Sequence, residues 1–332
     1  MIYKQLTLWD TAGISSDNKF KFIDLFCGMG GFRLAFEQND CKCVFSSDID
    51  PFVQKTYFSN FNEVPFGDIK QAQESDIPDH DILCAGFPCQ SFSIAGKRLG
   101  FNDTRGTLFF DVARILKAKK PKAFILENVK GITNHDNGKT LQTILNTLSD
   151  IGYVFKYSVL NAKDFNVPQN RERWYCIGFR KDLGNCHDAF NFPEPLELTN
   201  TLKNIIEESA PAEYYISETC SKNIAKYLKE KNISIKSDTL AYEVRASRCQ
   251  FKNDGIAPCL TAKMGTGGNN VPIIVNQNRK LTEQECLSIM GYPKNYKVSK
   301  GAQTYKQIGN SVVVPIIKLL AKQIVEVLKK EG

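Results

Sequence analysis

One cysteine, in the stretch "AGFPCQSFS" (85–93), has a setting in which a thiol could do chemistry. Cys89 follows Pro88 and comes just after the apolar run "DILCAGF", at the end of a predicted strand. A structural thiol more often lies inside the apolar run, as Cys84 does. From this stretch alone Cys89 can be a buried filler, half of a disulfide, a metal ligand or a nucleophile.

The cysteine and histidine patterns argue against a disulfide framework or a zinc site. The chain has 11 cysteines, an odd number, without a C-x-x-C pair, and most lie in apolar runs. Its three histidines are not spaced with cysteines as zinc ligands are. These patterns are typical of reduced cysteines in a cytosolic protein, and we expect no metal site.

A carboxyl and two guanidinium groups are predicted to reach the same crevice as Cys89. Glu127 follows "FIL" in "FILENVKG", where it is poorly placed for packing and well placed for chemistry. The segment "VPQNRERWY" brings Arg171 and Arg173 to the start of a later strand. A protease-like Cys–His pair is disfavoured, because His80 precedes its strand and His135 lies in a polar loop.

The glycine-rich segment "DLFCGMGGF" separates a predicted strand from a predicted helix. Such a loop lets backbone amides approach a ligand. Gly28 and Gly30 fit a dinucleotide fingerprint, but Arg33 occupies the place of its third glycine. A nicotinamide site is therefore disfavoured, and a plain strand-to-helix turn remains open.

Two acidic residues follow the next strands. Asp48, with Asp50 close by, suits the hydroxyls of a ribose, and Asp68 suits an adenine amino group. The loop has no cation for a pyrophosphate apart from Arg33. An adenosine without pyrophosphate, as in S-adenosylmethionine, fits better, although both acids could simply be caps or solvated turn residues.

The elements that must position these residues alternate between short apolar runs and amphipathic stretches. This alternation predicts an α/β fold, a mainly parallel sheet with helices on both faces, and ligands bind outside the carboxyl ends of such strands. After about Leu183 the chain becomes rich in Pro, Gly and Asn, which predicts a smaller, irregular, β-rich domain. Helical periodicity returns in "LTEQECLSIMGYP" and in "VPIIKLLAKQIVEVLKK", and the last helix could fold back onto the first domain.

Bulk properties limit the partners. The net charge of +7 permits a polyanionic partner without requiring one. No stretch approaches 18 uninterrupted apolar residues, so we expect no membrane partner, and the first 20 residues do not resemble a secretory signal.

Taken together, the motifs resemble those of the DNA cytosine-C5 methyltransferases of bacterial restriction-modification systems. They occur in family order: "DLFCGMGGF", "SSDID", "GDI", "GFPCQSFSIAGKR", "RGTLFF", "ENVKG", "VPQNRERWYCIGFR", "LTEQECLSIMGYP" and "YKQIGNSVVVP". The resemblance spans roughly residues 22 to 320. It implies a Rossmann-like S-adenosylmethionine-dependent methyltransferase fold, with a catalytic domain at 20–185 completed by 303–332. The target-recognition domain would be 186–302.

The same resemblance implies roles for single residues. Cys89 matches the nucleophile that bonds C6 of a flipped cytosine, and Glu127 matches the acid that holds N3 and the amino group. Arg171 and Arg173 match an arginine pair, of which the first is the expected contact to the target base. The expected S-adenosylmethionine contacts are Phe26, Gly28, Gly30, Asp48, Ile49, Asp68, Leu108 and Asn310.

Duplex DNA is the implied partner, with 241–272 as the expected base-reading segment. Expected DNA contacts are Ser93, Lys97, Arg98 and Arg105 in the loop after Cys89, and Arg245, Arg248, Gln250 and Lys263 in that segment. The loop charges could instead be solvated, and each arginine could hold a phosphate rather than a base. The resemblance further implies a monomer in the bacterial cytoplasm, with a restriction endonuclease encoded nearby but not stably bound.

Three departures from the family pattern stand out. Ile49 replaces an aromatic residue that stacks on adenine in some members. Asn166 stands where "GVPQ" has glycine, and asparagine tolerates a positive φ. Gln284 replaces a common arginine, which puts a structural ion pair in doubt. The rival functions are an RNA cytosine methyltransferase, a catalytically dead DNA-binding relative and a nicotinamide oxidoreductase.

Overall fold

Six strands form a mixed sheet in the computed structural model, which describes residues 19–88, 108–267 and 270–330. Their spatial order is β2-β1-β3-β4-β6-β5. The first four in space run parallel, and β6 runs antiparallel to both of its neighbours. The mainly parallel α/β fold expected from the sequence is confirmed. The strands are β1 (Lys21–Leu25), β2 (Lys42–Ser47), β3 (Ile82–Ala85), β4 (Ala123–Val129), β5 (Tyr153–Asn161) and β6 (Glu172–Arg180).

Helices cover both faces of this sheet, because successive side chains of a strand point to opposite faces. Phe22 packs on the face that also holds the apolar side chains of α1 and α9, whereas Ile23 packs on the face of α3 and α4. Helix α9 contacts α1, and Asn39 Nδ2 beside α1 donates to the Lys318 carbonyl at 3.2 Å. The helices are α1 (Gly31–Glu37), α2 (Pro51–Phe61), α3 (Leu108–Lys119), α4 (Lys139–Asp150) and α9 (Val314–Lys330).

A second, antiparallel sheet has the order β10-β9-β7-β8. Its strands are β7 (Leu240–Arg245), β8 (Arg248–Lys252), β9 (Ile273–Ile274) and β10 (Arg279–Lys280). The helices of this part of the chain are α5 (Cys186–Ala189), α6 (Glu218–Glu230), α7 (Glu283–Ile289) and α8 (Ala302–Asn310). Among the described residues, every helix is too short or too polar to traverse a bilayer.

Helix α6 lies within the region that the sequence predicted to be irregular and β-rich. Ser217 begins the helix, since its side chain accepts a hydrogen bond from the Cys220 amide. Cys220 and Ile224, four residues apart, are buried against β7 and β8. Tyr227 and Leu228 continue this apolar stripe, and most of the remaining residues of the helix are charged or polar.

The structure shows the surroundings of Asn166 and Gln284, two of the three departures from the family pattern. Asn166 adopts φ +58°, and its Oδ1 accepts from the amides of Thr199 and Asn200 at 2.9 and 2.8 Å. The left-handed turn therefore survives without glycine. Near Gln284, the buried ion pair joins Arg279 to Glu285 at 2.8 Å.

Candidate active site

A cavity of about 710 Å³ opens at the carboxyl ends of β1 to β4 and at the amino-terminal end of β6. The alternating sequence pattern predicted a ligand site at this edge of the sheet. The amino-terminal end of β6 reaches the same edge, because β6 is antiparallel to β4. The lining includes ten residues singled out from sequence: Phe26, Gly28, Asp48, Ile49, Asp68, Leu108, Glu127, Arg171, Arg173 and Asn310.

The glycine loop holds its backbone in left-handed conformations. Phe26 has φ +57° and Gly28 has φ +52°. Gly30 does not line the cavity; a Cβ there would lie 2.4 Å from the Phe61 ring. Gly30 therefore permits close packing of the loop on α2, whereas Gly28 lies against the cavity itself.

Asp48 is anchored by the loops on both sides of it. Its Oδ2 accepts from the Gly28 amide at 3.0 Å, and its Oδ1 accepts from the Asp50 amide at 2.9 Å. Burial raises the pKa of the Asp48 carboxyl, and these two backbone hydrogen bonds oppose that shift. The carboxylate is thus held rigidly at the cavity wall.

The rest of the lining suits an adenosine. Ile49 is 69% exposed and offers an apolar face at the cavity. Asp68 lines the cavity and also caps a short 3-10 turn, since its Oδ1 accepts from the Lys70 amide at 3.1 Å. The capping role considered from sequence therefore coexists with exposure to the cavity.

Glu127 lies at the floor of the cavity beside Arg173. Its side chain is 12% exposed, and its Oε1 lies 3.2 Å from Arg173 Nε. Burial raises the pKa of the Glu127 carboxyl, while the charges of Arg173 and Arg171 act in the opposite direction. Next to it, Asn128 Nδ2 donates to the Phe87 carbonyl at 2.8 Å, which ties the end of β4 to the segment that leads to Pro88.

Arg171, which the sequence predicts as the contact to the base, lines the cavity and donates to backbone carbonyls. The residue is 2% exposed. Its Nη1 donates to the Leu260 carbonyl at 2.6 Å, and its Nη2 donates to the carbonyls of Ser311 and Gly309 at 2.6 and 3.1 Å. The geometry favours Arg173 as the guanidinium presented to a ligand next to Glu127.

Several expected site residues fall outside the described ranges: Cys89, Ser93, Lys97, Arg98 and Arg105. Pro88 and Leu108, the described residues on either side of that gap, both line the cavity.

The expected base-reading residues lie on and near the hairpin of β7 and β8. Arg245 and Arg248 are cross-strand partners at its turn, and both are exposed. The Arg248 guanidinium pairs with Glu243. Gln250 Oε1 accepts from Lys231 Nζ at 3.3 Å, and Lys263 is exposed in the 3-10 turn Ala262–Thr266.

Sequence reasoning missed the supports of this site. Tyr227 of α6 donates from its hydroxyl to the Ala246 carbonyl at 2.9 Å, which braces the hairpin turn. Lys306 of α8 also lines the cavity, and its Nζ lies 3.4 Å from Asp50 Oδ2. The motif "YKQIGN" contained Lys306, but nothing in the motif indicated that it faces Asp50.

Comparison with known proteins decides the family. A family model described as C-5 cytosine-specific DNA methylase matches residues 20–326. The chain belongs to this family. This methylase is 44% identical over 313 residues to the type II methyltransferase M.HhaI of Haemophilus parahaemolyticus, covering 92% of the chain and 94% of that relative. It is 46% identical over 333 residues to M.HpaII of Haemophilus parainfluenzae, with 93% and 90% covered.

Solved structures show the same fold at lower identity. A triple mutant of Spodoptera frugiperda DNMT2 aligns with a TM-score of 0.70 and 23% identity, covering 92% of this methylase and all of that chain. The Entamoeba histolytica methyltransferase EhMeth aligns with a TM-score of 0.70 and 21% identity, with 94% and 99% covered. The methylase is accordingly an enzyme of the DNA (cytosine-5-)-methyltransferase class.

Proposed function

We propose that this methylase transfers a methyl group from S-adenosylmethionine to C5 of a cytosine flipped out of a short duplex DNA site. The observation that carries the proposal is the Glu127–Arg173 pair, with side chains 12% and 13% exposed, in a cavity that Pro88, Asp48 and Asp68 also line. The relatives named above are type II methyltransferases. We accordingly propose that the enzyme protects host DNA in a bacterial restriction-modification system.

The cavity fits the proposed cofactor. Asp48 offers carboxylate oxygens for ribose hydroxyls, Ile49 offers an apolar surface for adenine, and Asp68 can accept from an amino group. Phe26, Gly28, Leu108 and Asn310 complete the proposed contacts, and Gly30 supports the loop by its packing on Phe61. When bound, S-adenosylmethionine supplies an electrophilic methyl group.

Cys89 is assigned the covalent step by the motif resemblance. Its thiolate adds to C6 of cytosine, and the electron pair of the C5–C6 double bond becomes available at C5. After C5 has accepted the methyl group, a base removes the C5 proton, the double bond re-forms and the thiolate leaves. The target base must leave the helical stack, because C6 and C5 are inaccessible within it.

Glu127 and Arg173 stabilise the charge that this addition creates. Negative charge develops toward N3 of the ring as the sulfur bonds to C6. A protonated Glu127 donates to N3, and its raised pKa favours the protonated form. Arg173 lies against the same carboxyl and presents a fixed cation to the base.

DNA is proposed to be read by the hairpin of β7 and β8 and by the turn that carries Lys263, within segment 241–272. Arg245 and Arg248 project from the hairpin tip, where a guanidinium can contact a guanine or a phosphate. Ser93, Lys97, Arg98 and Arg105 remain proposed phosphate contacts. The enzyme is proposed to act as a monomer in the bacterial cytoplasm, without a stable endonuclease partner.

A methyl-transfer assay tests the function. The protein is incubated with S-[methyl-³H]adenosylmethionine and unmethylated plasmid, and the digested DNA is analysed for 5-methylcytosine. Bisulfite sequencing then maps the modified site. We expect 5-methylcytosine at one short sequence, and label recovered only in a tRNA competitor would instead establish an RNA methyltransferase.

The covalent step has its own test. A duplex that carries 5-fluorocytosine at the mapped position should become trapped on the protein, because fluorine at C5 cannot leave as a proton does. Cys89→Ser should bind the duplex without trapping or turnover. Methylation by that variant at the wild-type rate would refute the assigned nucleophile.

A further inference from the structure

Helix α8 packs closely on the expected base-reading segment at two glycines, Gly309 and Gly265. A Cβ on Gly309 would lie 2.0 Å from the Thr261 carbonyl carbon and 2.2 Å from the Ala262 amide nitrogen. A Cβ on Gly265 would lie 2.5 Å from Lys306 Cβ and 2.6 Å from the Ala302 carbonyl oxygen. At these two glycines there is no space for a side chain, so α8 and the base-reading segment pack closely and have little room to slide independently.

Helix α8 also forms part of the cavity wall, next to Ala262 of the base-reading segment. Lys306, Gly309 and Asn310 line the cavity, and Lys306 Nζ reaches Asp50 Oδ2 at 3.4 Å. The Asp50 amide N–H donates a hydrogen bond to Oδ1 of Asp48, the residue proposed to bind the ribose. A displacement of α8 therefore changes the cavity on the side where the cofactor's ribose is proposed to bind.

The buried guanidinium of Arg171 links the base-reading segment to the end of α8. Its Nη1 holds the carbonyl of Leu260 in the base-reading segment, and its Nη2 holds the carbonyls of Gly309 and Ser311 at the end of α8. Gln169, fully buried, accepts from the Leu260 amide at 3.0 Å. Both backbone groups of Leu260 are thus held by side chains that precede β6.

We propose that Arg171 is a positioning residue that couples occupancy of the cofactor cavity to binding of the DNA site. The proposal rests on the function proposed above. If the base-reading segment and α8 move as one body, a cofactor that fixes α8 also fixes the base-reading segment. The coupling must then be reciprocal, so DNA tightens cofactor binding by the same factor.

Calorimetric titration measures this factor. S-adenosylhomocysteine is titrated into the full-length protein alone and into its complex with a duplex that carries the mapped site. For the wild type we expect the duplex to tighten S-adenosylhomocysteine binding by about tenfold, within the usual range of allosteric coupling. A matched duplex with a scrambled site should leave the affinity unchanged.

Arg171→Lys keeps the charge but loses the fork that bridges two segments. We expect its coupling factor to fall to about twofold or less, with KM for S-adenosylmethionine at saturating DNA rising more than kcat falls. Arg180→Lys, at the carboxyl end of β6, is the matched control, because Arg180 contacts Asp182 and the Lys120 carbonyl.

A second pair of variants keeps the proposal testable if Arg171→Lys fails to fold. Gly265→Ala inserts a methyl group between the 3-10 turn Ala262–Thr266 and α8. Gly131→Ala adds the same methyl group at a site where the nearest atom would be 3.9 Å away. We expect only Gly265→Ala to reduce the coupling factor.

The outcomes separate this proposal from the function on which it rests. A wild-type protein that methylates DNA but shows no tightening would overturn the coupling and leave the function standing. Wild-type coupling in folded Arg171→Lys, or in Gly265→Ala, would overturn the assigned route. Absence of methylation and of S-adenosylhomocysteine binding would instead remove the proposed function itself.

Discussion

Arg173 Nε lies 3.2 Å from Glu127 Oε1, across the antiparallel pair β4–β6. Arg173 is the register partner of Val129, which lies two residues beyond Glu127 and on the same face of the sheet. The contact is therefore a diagonal cross-strand pair. It places one cation against a carboxyl whose pKa burial has raised, at the floor of the cavity.

Replacing the acid tests its proton. We expect Glu127→Gln to lower kcat by about 10²–10⁴-fold, the range attributed to a positioned general acid, while duplex binding persists. Single-turnover methylation of the mapped duplex measures this loss. Glu172→Gln is the matched control, since Glu172 forms an exposed ion pair with Lys130. A Glu127→Gln enzyme as fast as that control would remove Glu127 from the chemistry.

The pH dependence tests the charge of Arg173. Because Arg173 lowers the pKa of Glu127, removing the guanidinium in Arg173→Met raises that pKa further. The acid then stays protonated to higher pH, so the alkaline limb of kcat/KM should move to higher pH even as kcat falls. The profile is compared with Arg180→Met at the far end of β6. A limb that stays in place or moves to lower pH would show that the charge does not act on Glu127.

Cofactor affinity tests Asp48. The two carboxylate oxygens of Asp48 accept hydrogen bonds from the amides of Gly28 and Asp50. An asparagine at this position has only one oxygen that can accept, and it carries no charge. Hydrogen bonds to charged groups contribute about 1.5–3 kcal/mol, so Asp48→Asn should weaken S-adenosylhomocysteine binding about 10- to 100-fold by calorimetry. Asp79→Asn, at an exposed carboxyl remote from the cavity, should bind as the wild type does. Equal affinities in the two variants would contradict the role assigned to Asp48.

Stability tests the packing role of Gly30. Alanine there must adopt φ +75° and insert its Cβ 2.4 Å from the Phe61 ring. The left-handed conformation and the overpacking together should lower the free energy of unfolding by about 2–4 kcal/mol. Urea denaturation of Gly30→Ala beside Gly131→Ala measures the difference. A loss no larger than in Gly131→Ala would mean that the loop tolerates a side chain.

DNA affinity tests the hairpin tip. Arg245 forms no ion pair within the described ranges, whereas Arg248 already pairs with Glu243. Arg245→Ala should weaken binding of the mapped duplex by about 1–3 kcal/mol if it contacts a base, with less effect on a scrambled duplex. Lys252→Ala, at the base of the hairpin and paired with Asp254, serves as control. Equal loss on both duplexes would assign Arg245 to a phosphate.

The sheet and most of the cavity could be predicted from the sequence, because both depend on local patterns. Short apolar runs that alternate with amphipathic stretches specify parallel strands, and the carboxyl ends of such strands meet at one edge. The sequence alone therefore predicts that Asp48, Asp68 and Glu127 lie at one cavity. Helix α6 was not predicted, although its apolar residues recur at helical spacing, because the surrounding region is rich in Pro, Gly and Asn.

The different contacts of Arg171 and Arg173 depend on the tertiary structure. The two arginines stand two residues apart, so they follow the same pattern and face the same side of the strand. What separates them is the position of distant carbonyls: those of Leu260, Gly309 and Ser311 surround Arg171, while Glu127 meets Arg173. Residue type and spacing determined which groups could do the chemistry. Long-range packing determined which arginine lies against the acid, since a buried guanidinium binds the acceptors that the folded chain places around it.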